Sequence, residues 1–205
     1  MQIDALARWF ADFAAVVTEN AAMLTDLDRQ IGDADHGSNL DRGMKAVAAL
    51  DPADSTDAKV YLKQAGMTLV STVGGASGPL YGTLLLRMAT NVPDEELDAR
   101  AWAEMLQAGL DGVVSRGHAA EGDKTMVDAL APAVRAAKQA ATQGQDLASA
   151  LGATAEACAS GRDSATPLVA RKGRASYLGE QSANHADPGA TSLTLMLESA
   201  ARTLA

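Results

Sequence analysis

Cysteine is nearly absent from this 205-residue chain: Cys158 is its one thiol, set in the alanine-rich run Ala153-Thr154-Ala155-Glu156-Ala157-Cys158-Ala159. A single cysteine excludes an intrachain disulfide framework and a cysteine-based zinc site, and it suits a reducing compartment. Aromatic residues make up only 3 %, too few for the stacking platforms that hold single-stranded nucleic acid. No run of about 18 apolar residues occurs, and Met1-Gln2-Ile3-Asp4 opens without a basic segment or an apolar stretch. A cytoplasmic protein without a membrane partner is expected. Positive charge is also in deficit, 17 basic against 26 acidic residues and a formal charge of −9. That balance argues against a broad electrostatic grip on nucleic acid. A small phosphate ligand stays open, because a few local cations or backbone N–H groups hold one whatever the net charge.

What is present is helical periodicity. Leu6, Trp9, Phe10, Phe13, Val16 and Val17, then Met23, Leu24 and Leu27, recur at i, i+3, i+4 and read as one amphipathic helix. Asn39 is the expected cap of a second, striped by Leu40, Met44, Val47 and Leu50 and stopped at Asp51-Pro52. Ser55-Thr56-Asp57 caps a third, carrying Val60, Leu62, Leu69, Val70 and Val73, and an apolar helix follows from Leu80 to about Ala89. Pro93-Asp94-Glu95-Glu96 reads as the start of the helix through Trp102, Met105, Leu106, Leu110 and Val113, which stops near Gly117. Further helices are expected from Lys124-Thr125 to Gly144, from Asp146 through Cys158, and from Gly189 to about Thr203. No period runs from Val169 to Pro188, so that stretch reads as loop. Seven or eight helices with short joints and no alternating strand predict an all-α bundle, one domain over residues 1–205.

Charge and glycine collect in the joints, at 28–39, 74–82, 117–125 and 171–189. In an up-and-down bundle alternate joints emerge at one end, so convergence of these four on one rim is expected. The stretch Asp28 to Asn39 holds three aspartates, Asp28, Asp33 and Asp35, which are the candidate ligands, and His36. Bare carboxylates about 4 Å apart repel by roughly 4 kcal/mol at an effective dielectric near 20, which calls for a cation. Hard oxygen ligands in a glycine-containing loop suit Mg²⁺ or Ca²⁺, and ordinary turn and cap aspartates are the alternative. The loop is not an EF-hand, since Ser38 and Met44 stand where the glycine and bidentate glutamate belong. Gly74 to Gly82 places glycines around Ser77 just before a helix, where exposed N–H groups hold an anion or small residues allow close helix packing. Gly122-Asp123-Lys124-Thr125 lacks the upstream glycine and strand of a P-loop and reads as a helix start, with Lys124 as a surface charge. Arg171, Lys172 and Arg174 form a cationic loop in an acidic protein, which suggests a flexible cover for a charged ligand.

Five blocks carry a family resemblance: Asp28-x₄-Asp33-Ala34-Asp35-His36-Gly37, Gly74-Gly75-Ala76-Ser77-Gly78-Pro79, Gly122-Asp123-Lys124-Thr125-Met126, Ala170 to Glu180, and Asp187-Pro188-Gly189-Ala190-Thr191-Ser192. In this order, over nearly the whole chain, they resemble the L subunit of dihydroxyacetone kinase. The resemblance implies a barrel of about eight antiparallel helices with ADP or ATP and two Mg²⁺ ions at one end. It implies Asp28, Asp33 and Asp35 as metal ligands. His36, Gly37, Ser38 and Asn39 would contact the nucleotide at the following helix start, with Ser77 and Gly78 on its phosphates. Gly117, Met126, Arg174, Asp187, Pro188 and Gly189 would line its pocket.

The activity implied is that of a phosphotransferase subunit. A phosphohistidine on an M subunit of the phosphoenolpyruvate relay recharges bound ADP, and the phosphoryl group passes to dihydroxyacetone on a separate K subunit. No covalent nucleophile is expected here, and none of His36, His118 or His185 should hold the sugar. A homodimer is left open. Three other functions compete: an ATP-dependent kinase subunit for another small keto- or hydroxy-sugar, a regulatory module that reports its nucleotide state, and a Mg²⁺-dependent phosphohydrolase with an aspartate nucleophile.

Overall fold

The apolar stripes fold into eight α-helices, described over residues 1–205 in a computed structural model. They are α1 (Ile3–Ile31), α2 (His36–Ala48), α3 (Ala58–Thr72), α4 (Ser77–Met88), α5 (Ala99–Gly117), α6 (Met126–Thr142), α7 (Leu147–Ala165) and α8 (Pro188–Thr203). Three 3-10 segments, Pro52–Asp54, Ala89–Asn91 and Arg174–Ser182, complete the chain. Each helix packs against the next and α8 returns to α1, so the bundle closes into a ring. No helix is long and apolar enough to cross a membrane.

Side-chain caps start most helices. Asp57, Asp98, Asp146 and Asp187 accept N–H groups at the starts of α3, α5, α7 and α8, and Thr125 with Asp128 forms a capping box on α6. Asp98 displaces the expected start at Pro93-Asp94-Glu95-Glu96: its carboxylate accepts from Ala101 N at 2.7 Å, and residues 93–98 stay non-helical. The Met1 amino group donates there to the carbonyls of Pro93 and Glu95. Pro132 inside α6 leaves Asp128 O without its intrahelical N–H, and Gly161 lets α7 approach that carbonyl, where a Cβ would stand 2.3 Å away.

Aromatic packing fills the ring far from the joints that carry charge. Trp9 stacks on Phe10 at 5.1 Å between ring centroids and meets Trp102 edge-on at 6.0 Å. Trp9 Nε1 donates to Met196 O at 3.0 Å, so its polar atom is satisfied in the core. From Trp9 to Asp28, α1 rises about 28 Å at 1.5 Å per residue, which sets the acidic stretch at the opposite end of the barrel.

At that end the chain makes its α1–α2, α3–α4, α5–α6 and α7–α8 joints, which contain the four segments expected to converge. The same connectivity points the N-termini of α2, α4, α6 and α8 at one rim. Helix N-termini carry partial positive charge and unpaired N–H groups, so this rim is built for anionic groups.

Candidate functional site

The four joints enclose a cavity of about 450 Å³, within the range of small-ligand sites. Asp28, Asp33, Asp35 and His36 line it from the first joint, Ser77 from the second, Gly117 and Met126 from the third, and Arg174, Asp187, Pro188 and Gly189 from the fourth. Gly37, Ser38, Asn39 and Gly78, also expected at the ligand, lie outside this wall. A Cβ on Gly37 would meet Ala21 O at 2.0 Å, and one on Gly78 would meet Val73 O at 2.2 Å, so both glycines serve helix packing. Ser38 is exposed, with Oγ donating to Asp35 O at 3.0 Å. Asn39 hydrogen-bonds the Asp35 carboxylate and accepts from Arg42 Nη2 at 2.7 Å, which makes it a support for the acidic cluster.

Asp28 explains why α2 starts at His36 rather than Asn39. Its Oδ2 accepts from Asp35 N at 2.8 Å and from His36 N at 3.1 Å, so a carboxylate from the preceding helix does the capping. Both N–H groups, that of His36 among those expected at the ligand, are thereby spent inside the protein. Gly32 makes room for this carboxylate, since a Cβ there would overlap Asp28 Oδ1 at 2.0 Å. Asp28, Asp33 and Asp35 each offer an oxygen within 4.8 Å of the others. Burial first, then the neighbouring Asp33 and Asp28 charges, push the Asp35 carboxyl above its ordinary range. Gly75, at φ 66°, brings the backbone alongside Asp35, and a Cβ there would sit 4.0 Å from its oxygens. Three crowded carboxylates, one of them with half its acceptors already used, fit a divalent ion that keeps coordination positions for another ligand.

His36 is 5 % exposed and does not offer a free nitrogen to the cavity. Nδ1 lies 2.9 Å from Ser77 Oγ and Nε2 lies 2.8 Å from Ser192 Oγ. Burial lowers its pKa to about 4, so the ring is neutral at pH 7. Asp187 caps α8 through Oδ2, which accepts from Ala190 N at 2.7 Å, and burial pushes its carboxyl up to about 6.

Lys124 is not a surface charge. It is 1 % exposed, and Nζ donates to Ala165 O at 3.3 Å and Thr166 O at 2.5 Å, fastening the end of α7 to the third joint. Burial holds its pKa below the usual lysine value. The cationic arm is likewise tied down. Arg171 N donates to Asp123 O at 3.0 Å, Ser182 Oγ accepts from Ala170 N at 2.8 Å, and Ala170 and Ala175 pack on Ile31. Arg174 Nη2 reaches Asp33 Oδ2 at 2.9 Å across the cavity mouth.

Sequence reasoning missed Arg116, Lys124 and Tyr81 in the wall and Ser192 behind it, whereas Lys172 lines the wall from the cationic loop expected to cover a charged ligand. The Thr125-x-x-Asp128 capping pattern is the local signal that marks the α6 start, which carries Lys124 into place. No local signal marks Tyr81 or Ser192.

Comparison with known proteins gives the family and the fold. The family model described as the DAK2 domain matches residues 30–202. The PEP-dependent dihydroxyacetone kinase 1, ADP-binding subunit DhaL, of Listeria innocua is 44 % identical over 200 residues, 96 % of this chain and 94 % of that protein. The corresponding PEP-dependent subunit of Escherichia coli K12 is 43 % identical over 94 % of this chain and 93 % of its own length. The crystal structure of the dihydroxyacetone kinase from C. freundii in complex with AMP-PNP and Mg²⁺ superposes with a TM-score of 0.72 at 24 % identity, covering 96 % of this chain and 33 % of that one. The chain belongs to the DAK2-domain family, alongside the ADP-binding L subunits of dihydroxyacetone kinases.

Proposed function

We propose that this chain is the ADP-binding subunit of a cytoplasmic dihydroxyacetone kinase, holding ADP with two Mg²⁺ ions, receiving a phosphoryl group from a phosphohistidine relay subunit and passing it to dihydroxyacetone on a K subunit. The single observation that carries this reading is the meeting of an acidic triad with four helix N-termini around one cavity of about 450 Å³. Asp28, Asp33 and Asp35 would hold the metal, and Ser77 and the α4 start would hold the phosphates. Gly117, Met126, Asp187, Pro188 and Gly189 would line the remainder, with Arg174 at the mouth. Bound Mg²⁺ would supply charge neutralisation and alignment for phosphoryl transfer.

The chain's own residues do the rest. Asp28 keeps the first joint folded against α2, Asn39 orients Asp35, and Lys124 fixes the third joint to α7. The hydroxyl of Ser77 stands on a neutral histidine at the N-terminus of α4, so it meets an anion without a competing positive ring. Ser77 Oγ lies 2.9 Å from His36 Nδ1, but the far nitrogen of that ring meets the Ser192 hydroxyl rather than an orienting carboxylate, so the pair is read as a ligand-binding contact; the chain binds and orients, and the sugar is held elsewhere.

Reconstitution tests the reading. Mixing the chain with a K subunit, the relay proteins and phosphoenolpyruvate should phosphorylate dihydroxyacetone with catalytic ADP, whereas free ATP without the relay should not sustain turnover. Sustained turnover on free ATP would replace the relay role with that of an ATP-dependent kinase subunit. Phosphate release from ATP by the chain alone would make it a phosphohydrolase.

A further inference from the structure

A hydrogen-bonded column runs from the barrel interior to the cavity wall through Tyr81, Ser192, His36 and Ser77. Tyr81 is 1 % exposed and Ser192 fully buried. The Tyr81 hydroxyl lies 2.7 Å from Ser192 Oγ, Ser192 Oγ lies 2.8 Å from His36 Nε2, and His36 Nδ1 lies 2.9 Å from Ser77 Oγ. Ser192 Oγ also stands 3.2 Å from Gly189 O. Each hydroxyl has one proton to give, so the buried end of the column decides the direction of the rest.

The 2.7 Å contact alone allows either hydroxyl to donate; Ser192 Oγ is the acceptor within reach of the buried Tyr81 hydrogen, and a buried hydroxyl left without an acceptor is costly, so Tyr81 is assigned as donor and Ser192 as acceptor. The Ser192 proton then goes to His36 Nε2 or to Gly189 O. Gly189 O, in the first turn of α8, already receives the N–H four residues on by helical geometry, and its distance to Oγ is the longer one. A bare imidazole nitrogen at 2.8 Å is a better acceptor than a carbonyl oxygen at 3.2 Å that already receives an N–H, which favours Nε2 as the acceptor and places the ring hydrogen on Nδ1, facing Ser77 Oγ; the opposite tautomer, with Nε2–H donating to Ser192 and Ser192 to Gly189 O, is the arrangement the test must separate from it. Ser77 accepts there and keeps its own hydrogen for the cavity.

We propose that Ser192 and Tyr81 are positioning residues that hold the His36 proton on Nδ1, so that Ser77 presents its hydroxyl hydrogen to an anionic oxygen of the ligand. That this oxygen belongs to a nucleotide phosphate rests on the function proposed above. The proton arrangement does not.

Nitrogen-15 and proton NMR of the imidazole in the ligand-free chain tests the arrangement directly. The expected spectrum has a protonated Nδ1 and a bare Nε2, and Ser192→Ala moves the population toward Nε2–H. A protonated Nε2 in the unmodified chain, or a spectrum that ignores Ser192→Ala, overturns the proposal. Titration with ADP and Mg²⁺ gives the functional arm. Ser77→Ala and Ser192→Ala should each weaken binding roughly tenfold, the worth of a hydrogen bond to a charged group. The double variant should bind no more weakly than Ser77→Ala alone, because Ser192 acts through Ser77. Additive losses would reveal a merely structural role and overturn it. Ser192→Thr keeps the hydroxyl and should restore binding; if it fails to while the Thr variant unfolds at the unmodified temperature, the proposal is wrong. Should Ser192→Ala fail to fold, Tyr81→Phe replaces it, with a smaller shift in the same direction. An unmodified chain that binds no ADP defeats the nucleotide reading, and the NMR result then stands alone.

Discussion

Arg174 Nη2 lies 2.9 Å from Asp33 Oδ2, and the two side chains are 66 % and 35 % exposed. The pair joins the cationic arm to the acidic triad across the cavity mouth, so one guanidinium serves as counter-charge to a carboxylate that the proposed metal also needs. Solvent screens such a pair, and its contribution to folding is small. Arg174→Gln should therefore leave the melting temperature within a few degrees and weaken ADP·Mg²⁺ binding roughly tenfold, measured by calorimetry. A large loss of stability with unchanged affinity would show the arm to be scaffold.

The three aspartates should separate by role. Asp33 is exposed and accepts from Arg174 alone, whereas Asp28 is buried and accepts two backbone N–H groups at the start of α2. Asp33→Asn should abolish metal-dependent nucleotide binding and leave the metal-free chain as stable as before, or slightly more so as crowding is relieved. Asp28→Ala should abolish binding and also cost about 1–2 kcal/mol in denaturant unfolding, since two donors lose their acceptor. Equal stability of the two variants would contradict the capping role of Asp28.

Gly78 divides packing from ligand contact. A Cβ there would stand 2.2 Å from Val73 O and 3.1 Å from Leu69 O, both backbone atoms with little freedom to move. Gly78→Ala should destabilise the chain by about 1–3 kcal/mol through overpacking between α3 and α4. Gly152→Ala, with nothing within 4 Å of the added atom in the helical α7, should be neutral or stabilising. Matching unfolding curves for the two variants would place Gly78 outside the packed interface.

Asp187 gives a pH signature. Its folded pKa is raised to about 6 from an ordinary 3.8, chiefly by burial. Between those values the native state binds a proton that the unfolded chain does not, so this group adds stability as pH falls and loses it as pH rises through about 6. Asp187→Asn keeps a capping oxygen and removes the titration. The stability of the unmodified chain relative to the variant should grow by on the order of 2 kcal/mol from pH 7 to pH 4. A difference that stays flat across that range would show an unshifted carboxyl.

Much of the site was legible because its joints interrupt a clear helical period with aspartate, glycine and cations. Asp28, Asp33, Asp35, Ser77 and Arg174 stand together because alternate joints of an up-and-down ring share an end. What local patterns hid depended on distant partners. Asn39 is a good cap by type, yet Asp28, from the preceding helix, caps α2 three residues earlier. Lys124 reads as a surface cation until the carbonyls of Ala165 and Thr166, 41 and 42 residues away, are seen to hold it. Ser192 and Tyr81 sit on core-facing stripes, and only a partner 111 residues away gives their hydroxyls a direction. The expected flexible cover proved to be 3-10 turns tied down by Ser182, a feature with no hydrophobic period to announce it.

Native mass spectrometry of the gently purified chain, with and without a chelator, tests the central claim most directly. One ADP with two Mg²⁺ per chain, lost together on chelation and absent from Asp33→Asn, is the predicted result. Nucleotide retained after the metal is stripped, or held equally by Asp33→Asn, would contradict a site organised around Asp28, Asp33 and Asp35.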